Sequence, residues 1–465
     1  MPEKYHIKAV PTLGRFRHVG KYGSVDWRED CARCSNCVKP RCVFDTYRKE
    51  AAYNRDPQTS VVPLYECRAC LSCVQGCTKG LLGISLNPEF LAMGDDYWKP
   101  EIMATTWNQA DTGRVPVSGA GYRGRFHGFG FDSIWTDMSE IVRPTRDGIH
   151  GREYISTNVD IGSKPMRLSF ASDGSIVGEK ASLIDLPLPL IMDAPAWQVG
   201  GQEFARARLT TAAKLKTLAV ARAADVAGAP AAELPYLIPL VGSEGLGSVQ
   251  ALLSQVRMVE FEDGPDVVAQ AAKAKAANPK LVVAVRLPMR GAATERILQL
   301  NQAGVRVFHL CADLHGCEVG VDNPRHIKDA VREIHGRLVK AGVRDEITLI
   351  VAGGIALPEH MAKAIICGAD LVGVETALLV SLGCRVCRGV KGADHQDHCP
   401  AAAPKLETAY AVQRMVNLMA AWHSQLLEVL GAMGIREVRR LRGEVGRAIF
   451  KEDVEREAFG DLLSR

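Results

Sequence analysis

The chain of 465 residues lacks any long hydrophobic run, and this absence excludes several classes of protein. No run reaches the roughly 18 consecutive apolar residues that a membrane-spanning helix requires, so we expect no membrane span. The first residues, MPEKYHIKAV, have no apolar core typical of a secretory signal peptide, and we expect a cytoplasmic protein. The net charge is only +4, which argues against a nucleic-acid partner.

Cysteine, by contrast, is abundant, with 14 residues. Disulfides belong to exported proteins, whereas cysteines at C-x-x-C spacing in a large chain without an export signal indicate metal binding.

Two cysteine motifs lie near the start of the chain, CARCSNCVKPRC at 31–42 and CRACLSCVQGC at 67–77. A C-x2-C-x2-C loop directs three thiolates at one iron–sulfur cubane, and the distant fourth cysteine reaches the other cubane. This pattern resembles the bacterial two-cluster ferredoxin domain, although neither fourth cysteine precedes a proline and the first motif has one extra residue. A pair of zinc sites is the alternative, but zinc ribbons use paired knuckles rather than triplets. The predicted ligands are Cys31, Cys34, Cys37 and Cys77 for one [4Fe–4S] cluster, and Cys67, Cys70, Cys73 and Cys42 for the other.

Eight short apolar runs alternate with helix-like, Ala-rich segments between about residues 181 and 400. Such alternation predicts parallel strand pairing, and eight units in this length predict a (β/α)8 TIM barrel of the α/β class. A doubly wound open sheet is the alternative, but no G-x-G-x-x-G follows the first strand. The predicted strands are 188–193, 217–221, 236–241, 256–261, 281–287, 305–310, 347–353 and 371–375.

The remaining segments complete a five-part division of the chain. The predicted parts are an N-terminal arm (1–30), a ferredoxin-like domain (31–95), a wrapping connector (96–180), the barrel with its cysteine loop (181–404) and C-terminal helices (405–465). The connector has aromatic residues that are costly to leave in water, namely Trp107, Phe126, Phe129 and Trp135. A basic cluster in it (Arg123, Arg125, His127) could face phosphate or a partner, with a solvated loop as the alternative. We expect the C-terminal helices to pack on the barrel or on a partner subunit, with Met415, Met419 and Met433 as core residues.

The stretch Leu349–Cys399 combines glycines and cysteines directly after the last two predicted strands. LIVAGGI ends one strand, GVETA follows the next, and three cysteines come behind, the last in a C-P pair. Glycines permit the close approach of backbone to phosphate, and the cysteines could hold an iron–sulfur centre.

Together with the connector VSGAGY…ISTNVDIG, these motifs resemble the FMN-binding domain of the glutamate synthase family. The form resembled is the archaeal-type one, which is fused to a ferredoxin module and lacks the amidotransferase domain. The resemblance implies that backbone at Gly353, Gly354, Gly373 and Thr376 binds the FMN phosphate. Arg286 would replace the family's usual lysine as the catalytic cation beside the flavin, with a structural arginine as the alternative. Ala194 would pass its backbone near the isoalloxazine ring.

The third cluster resembles the family's [3Fe–4S] centre, with Cys384, Cys387 and Cys399 as ligands. A third [4Fe–4S] cluster is the alternative, with a fourth ligand from His395, His398 or Cys317. Cys367 is predicted to be a buried core thiol.

One departure from the family concerns the substrate. After the sixth predicted strand, HLCADLHGCEVG stands where the family has a glycine-rich run, and it offers Cys311, Asp313, His315 and Cys317 instead. The resemblance implies an oxidoreductase subunit that passes electrons between ferredoxin-type clusters, a barrel cluster and FMN. The alternatives are an electron-transfer module that exchanges hydride with NAD(P)H or another carrier without making glutamate, and a non-catalytic scaffold. The implied partners are other redox subunits, a ferredoxin or NAD(P)H-oxidising subunit, and a separate amidotransferase subunit.

Overall fold

The structure is a computed structural model of the whole chain. It describes residues 5–16, 18–27, 38–43, 70–115, 128–136, 154–164, 169–177, 182–195, 201–387, 399–402 and 406–463. The predicted basic cluster Arg123, Arg125 and His127, together with Phe126, His395 and His398, lies outside these residues.

The N-terminal part has short elements around the cysteine motifs. Strand β1 pairs antiparallel with β2. Within the described residues, the short helices α1 and α2 lie between these strands in the chain, and α3 and α4 follow β2. The bounds are β1 Tyr22–Trp27, α1 Val38–Arg41, α2 Ser72–Gln75, β2 Leu82–Leu86, α3 Pro88–Leu91 and α4 Pro100–Thr112.

The described part of the connector continues with short strands that pair antiparallel, β4 with β7, β5 with β6, and β3 with the later strand β16 (Ala448–Phe450). Strand β4 reaches the N-terminal end of the barrel, where the Thr348 hydroxyl donates to the Gly162 carbonyl. The bounds are β3 Ile134–Thr136, β4 Val159–Gly162, β5 Ser169–Phe170, β6 Ile176–Val177 and β7 Leu183–Leu186.

A closed barrel of eight parallel strands forms the core, so the predicted (β/α)8 barrel is confirmed and the open sheet is excluded. The strands read as continuous apolar runs because helices cover their outer face while the barrel interior covers the other. The strands are β8 Leu190–Met192, β9 Ala219–Ala221, β10 Leu237–Val241, β11 Met258–Glu262, β12 Val282–Pro288, β13 Val307–Cys311, β14 Thr348–Ala352 and β15 Leu371–Val374.

Helices follow most of these strands, while β9 and β10 are followed by short 3-10 turns, Ala223–Val226 and Leu246–Leu252. The barrel helices are α5 Gly201–Leu215, α6 Val267–Ala277, α7 Ala293–Gln302, α8 Ile327–Lys340, α9 Pro358–Ile366 and α10 Thr376–Ser381.

The chain ends in α11 (Thr408–Ala432), strand β16 (Ala448–Phe450) and α12 (Lys451–Leu463). Helix α11 packs against α4 and α5, and the three methionines predicted as core residues, Met415, Met419 and Met433, are buried. Arg414 on the same helix is fully buried and donates to the carbonyls of Thr12 and Ser381. Helix α11 therefore fastens the N-terminal arm to the end of the barrel.

The aromatic residues of the connector divide into two groups. Trp107 is buried and its indole N–H donates to the Val380 carbonyl. Phe129 and Trp135, by contrast, are 58% and 43% exposed, so the expectation that they are buried is wrong. Trp135 is exposed because successive side chains of a strand point to opposite faces, and its neighbour Ile134 takes the buried face of β3. In the described part of the chain, no helix has the length and apolar character to cross a membrane.

Candidate functional site

Four charged or ionisable side chains meet inside the carboxyl-terminal end of the barrel. They come from four strand positions: Asp193 after β8, Glu260 on β11, Arg286 on β12 and His309 on β13. The Arg286 guanidinium donates to both oxygens of Asp193, at 3.0 and 2.5 Å, and to Glu260 at 2.9 Å. His309 Nδ1 lies 3.1 Å from both oxygens of Glu260. The layer is therefore a closed ion-pair network across the barrel.

The network sets the protonation of its members. Burial alone would lower the pKa of Arg286, but Asp193, Cys311 and Glu260 outweigh it, so its pKa lies well above the ordinary value. Burial also opposes the charge on His309, yet Cys311, Glu260 and Asp193 raise the pKa of the imidazole well above its usual range. Burial raises the pKa of Glu260, but the charges of His309 and Arg286 lower it by more than burial raises it. The net shift of the Glu260 pKa is therefore downward.

Two more buried ionisable groups border this network. Glu375 follows β15, and burial, followed by the nearby Asp193 charge, raises its pKa to about 8. It is therefore mostly protonated at neutral pH. Arg208 on α5 is buried and donates to the carbonyl of Val220 at 2.6 Å, and burial lowers its pKa to about 10.

Gly353 and Gly354 lie directly after β14, at the predicted phosphate position, and both have positive φ, 100° and 67°. A Cβ on Gly353 would lie 2.6 Å from the Asp313 carbonyl oxygen, and one on Gly354 would lie 2.6 Å from the Gly316 nitrogen. The glycines thus permit the loop after β13 to pack on the loop after β14.

The backbone at this end of the barrel retains unused donors. Among the described residues, no recorded hydrogen bond uses the amide N–H of Gly353, Gly354 or Thr376. Thr376 is the first residue of α10. Its hydroxyl is buried and also has no hydrogen-bond partner within the described part of the chain. Buried polar groups are normally satisfied, so unpaired donors on two adjacent loops mark a binding position for an anion.

The other predicted flavin contacts take different positions. Gly373 lies within β15, where a Cβ would meet His309 Nε2 at 3.0 Å, so this glycine makes room for the imidazole inside the barrel. Ala194 follows Asp193 and its amide donates to the Asp193 carboxylate.

The three cysteines behind α10 meet in one place. The Cys384 thiol hydrogen-bonds to Cys399, and this bond, reinforced by burial, raises the pKa of Cys384 well above its ordinary value. Burial, with Cys399 nearby, also raises the pKa of Cys387. Cys384 and Cys399 are buried, whereas Cys387 is exposed. Three adjacent thiols whose thiolate charges would repel one another are suited to a shared metal centre, which stabilises the thiolate form.

The N-terminal motifs are only partly described. Cys31, Cys34, Cys37 and Cys67 lie outside the described residues, whereas Cys42, Cys70, Cys73 and Cys77 are described. Helices α1 and α2 pack together, and Arg41 lies so near Gly76 that a Cβ there would meet Arg41 Cγ at 2.7 Å. Cys42 and Cys77, the two crossing ligands of the prediction, therefore follow residues that are in contact.

A short segment after the N-terminal module, Gly94–Trp98, joins it to the barrel loops. We call it the strap. Its Gly94 amide donates to the Arg385 carbonyl beside Cys384. Asp95 lies 2.8 Å from His315 Nε2, and the Tyr97 hydroxyl donates to the Gly354 carbonyl. The strap thus contacts the cysteine loop, the loop after β13 and the glycine loop.

A cavity of about 390 Å³ lies beside the strap. Its chemistry is mixed, with aromatic, acidic and basic side chains. The lining includes Asp95, Asp96, Tyr97, Lys99, Phe129, Asp132, His315, Cys317 and His360.

The sequence motifs mark Arg286 but not its ionisable partners on the neighbouring strands. Glu260 and His309 are polar residues inside the apolar runs VRMVEF and VRVFHL, and this was the available signal. A buried charge needs a partner, so an arginine, a glutamate and a histidine on successive barrel strands could have been paired from the sequence.

A closed parallel barrel whose carboxyl-terminal end carries an ionisable network, a glycine loop and a thiol cluster defines the class, a (β/α)8-barrel oxidoreductase. The family model described as the conserved region in glutamate synthase matches residues 323–436. This range includes the glycine loop after β14 and all three cysteines behind α10. This part of the chain is therefore similar to glutamate synthases.

Relatives over most of the chain agree with this family. The archaeal-type glutamate synthase [NADPH] of Dehalococcoides mccartyi is 23% identical and aligns with 90% of this chain and 93% of its own length. The archaeal glutamate synthase [NADPH] of Archaeoglobus fulgidus is 24% identical over 94% and 96% of the two chains. The corresponding protein of Methanocaldococcus jannaschii is 27% identical over 74% and 80%.

Among solved structures, the flavin-binding domain of baker's yeast flavocytochrome b2 matches 77% of this chain and 81% of its own, at 12% identity and a TM-score of 0.41.

Proposed function

We propose that the chain is a flavo-iron–sulfur oxidoreductase subunit of glutamate synthase type. It would pass electrons between two ferredoxin-type [4Fe–4S] clusters, a [3Fe–4S] cluster on the barrel and FMN. The observation that carries the proposal is the convergence of the glycine loop, the unpaired Thr376 hydroxyl and the Cys384–Cys387–Cys399 thiols at the two ends of the short helix α10. Relatives named as NADPH-dependent glutamate synthases support the reaction class.

The residues at the end of β14 and β15 fit a flavin phosphate. The amides of Gly353, Gly354 and Thr376 and the Thr376 hydroxyl supply donors that no described residue uses. FMN, when bound, supplies the exchange between one-electron and two-electron transfer that iron–sulfur clusters do not provide. The chain's own part is to hold the phosphate by backbone donors and to keep the ring at the mouth of the barrel.

Arg286 fits the predicted cationic role in a modified form. Its charge is shared with Asp193 and Glu260, so it offers less net positive charge than a free lysine would. The network fixes the guanidinium in place, because bidentate pairing with Asp193 and a third bond to Glu260 leave it little freedom. Its role is to hold positive charge at a fixed position, between Asp193 and Glu260, in a low-dielectric site.

The strap and Arg385 support an electron path from the N-terminal module to the barrel. Arg385 lies between Cys384 and Cys387 and pairs with Glu89 of α3 at 3.0 Å. Its carbonyl accepts from the Gly94 amide. The N-terminal module, the strap and the barrel thiols therefore form one contiguous unit.

Glutamate formation tests the proposal. The anaerobic holoenzyme, supplied with reduced ferredoxin or with NADPH and its reductase, 2-oxoglutarate and ammonia, is expected to produce glutamate, detected by chromatography. The Cys387→Ser variant should lose the barrel-cluster signal in paramagnetic resonance and keep both ferredoxin-type signals. The matched control is Cys367→Ser, which should keep all three signals. Cys367 is a buried residue directly after α9 and has no role in the site.

The loop after β13 favours a second candidate, an electron-transfer module of a larger redox complex that makes no glutamate. This loop packs against Gly353 and Gly354 and is tied to the strap through His315, where the family has a glycine-rich substrate run. Under this candidate the holoenzyme would oxidise NADPH or reduced ferredoxin with an artificial acceptor and would form no glutamate in the same assay.

A further inference from the structure

Cys311 adds a thiol to the ionisable network, and this combination forms a compact set of potential metal ligands. One ligand atom each of Asp193, His309 and Cys311 lies within 4.8 Å of the others. Asp193 and His309 are buried, and Cys311 ends β13 at the barrel mouth. A carboxylate, an imidazole and a thiolate are all ligands that zinc accepts.

His309 is oriented as metal-binding histidines usually are. Its Nδ1 faces both oxygens of Glu260 at 3.1 Å, and its Nε2 is directed into the barrel. This Nε2 is fully buried, has no hydrogen-bond partner within the described residues, and lies 3.5 Å from Asp193 Oδ2. A carboxylate behind one ring nitrogen fixes the tautomer and leaves the other nitrogen for a ligand.

We propose that Asp193, His309 and Cys311 bind one divalent transition-metal ion of the zinc class at the carboxyl-terminal end of the barrel. The ion would replace one proton on His309 Nε2 and one on the Cys311 thiol, and both protons would pass to solvent. Two positive charges replace two, so the net charge of the buried network is unchanged. The neighbouring Arg286 guanidinium therefore meets no added positive charge.

The Asp193 carboxylate can bind the Arg286 guanidinium and the metal ion at the same time. Its carboxylate offers about four acceptor positions, and Arg286 uses two of them. A carboxylate that is already held by a guanidinium resembles the hydrogen-bonded carboxylate ligands of metal sites. The mixed donor set with sulfur selects zinc-class ions over calcium or magnesium, which take oxygen ligands.

The Cys311 and His309 positions belong to the segment that departs from the family pattern, HLCADLHGCEVG. Three protein ligands leave a tetrahedral ion one open position. The metal site uses none of the amides that are assigned to the flavin phosphate.

The test uses the anaerobic holoenzyme and zinc alone. Equilibrium dialysis against radioactive zinc is expected to give about one tightly bound ion per chain. Zinc-edge X-ray absorption should then show one sulfur at about 2.3 Å and nitrogen or oxygen neighbours at about 2.0–2.2 Å. Because the edge is specific for zinc, the iron–sulfur clusters do not interfere. Flavin is quantified in the same sample, so loss of flavin with retained zinc would overturn the proposed function and leave the metal site standing.

Variants separate this site from the cysteine motifs. Cys311→Ser and His309→Asn should each reduce bound zinc to near zero at the same free concentration, whereas the control Cys317→Ser, in the same loop, should keep one ion. Absence of tight zinc in the parent protein would overturn the proposal. So would a zinc neighbour shell of four sulfurs, because that shell belongs to the cysteine motifs. The absorption measurement needs only the parent protein, so a variant that fails to fold does not prevent a decision.

Discussion

At the barrel mouth, the properties of single residues depend on the ion pairs that they form. Arg286 was recognised as a cation at the active end of the barrel, but its function depends on Asp193, Glu260 and His309, which fix its position and share its charge. The sequence marked Arg286 because a charge stands out in an apolar strand. Which carboxylates pair with it depends on how the strands register across the closed barrel, and no local pattern contains this information.

Replacement of Arg286 by alanine is expected to destabilise the protein by about 3–5 kcal/mol, because two buried carboxylates lose their partner. The measurement is urea denaturation followed by tryptophan fluorescence. The matched control is Arg296→Ala, whose pair with Asp263 is partly exposed and should contribute about 0–1 kcal/mol. Equal losses in the two variants would contradict the buried network.

Glu375 predicts a pH dependence. Its pKa in the folded protein is about 8, against an ordinary value of 4.5. Between these values the folded state binds a proton that the unfolded state has lost, so the free energy of unfolding falls as pH rises, by up to about 1.4 kcal/mol per unit. Below pH 4.5 both states are protonated and above pH 8 both are ionised, so the effect is confined to this window.

The Glu375→Gln variant should remove this contribution, and its stability relative to the parent protein should increase from pH 5.5 to pH 7.5. Denaturation midpoints at the two pH values measure it. Glu457→Gln, an exposed carboxyl on α12, is the control and should show no such trend. A constant difference between Glu375→Gln and the parent protein would mean that Glu375 is ionised throughout.

At the scale of elements, the barrel strands were predictable and the loops were not. All eight strands were predicted, within two residues at each end, because a parallel strand buried on both faces is a short apolar run. The glycine pair after β14 was also predicted from its motif. Its contact with the loop after β13 was not, because that contact is set by how two loops of the closed barrel meet.

The loop contact predicts an unequal cost of adding a methyl group to two glycines with positive φ. Gly228→Ala should cost about 1–2 kcal/mol from backbone strain alone, because its Cβ would meet nothing. Gly354→Ala should cost about 1–3 kcal/mol more, because its Cβ would meet the Gly316 backbone. Denaturation midpoints of the two variants test this, and equal costs would show that the loop does not press on Gly354.

Helix α10 predicts a separate effect on flavin binding. Thr376→Val removes the unpaired hydroxyl and keeps the side-chain shape, so FMN affinity should fall about tenfold, while the denaturation midpoint of the flavin-free protein should be unchanged. Thr376→Ser should retain FMN. Flavin retention after gel filtration gives the result, and undiminished retention by the valine variant would remove Thr376 from the phosphate site.

At the scale of the whole molecule, the barrel, the strap and α11 hold the N-terminal module against the thiol cluster. The resemblance to glutamate synthases and the barrel fold were accessible from the sequence because clustered cysteines, paired glycines and eight apolar runs are local patterns. The exposure of Trp135 was not, because it depends on which side of a strand meets the core.

The most direct test of the flavo-iron–sulfur assignment is a joint analysis of iron, acid-labile sulfide and flavin in the anaerobically purified chain. Two four-iron clusters and one three-iron cluster predict about eleven irons per chain, together with one FMN. A chain that contains zinc in place of this iron, or that has a full complement of iron but no flavin, would contradict the account.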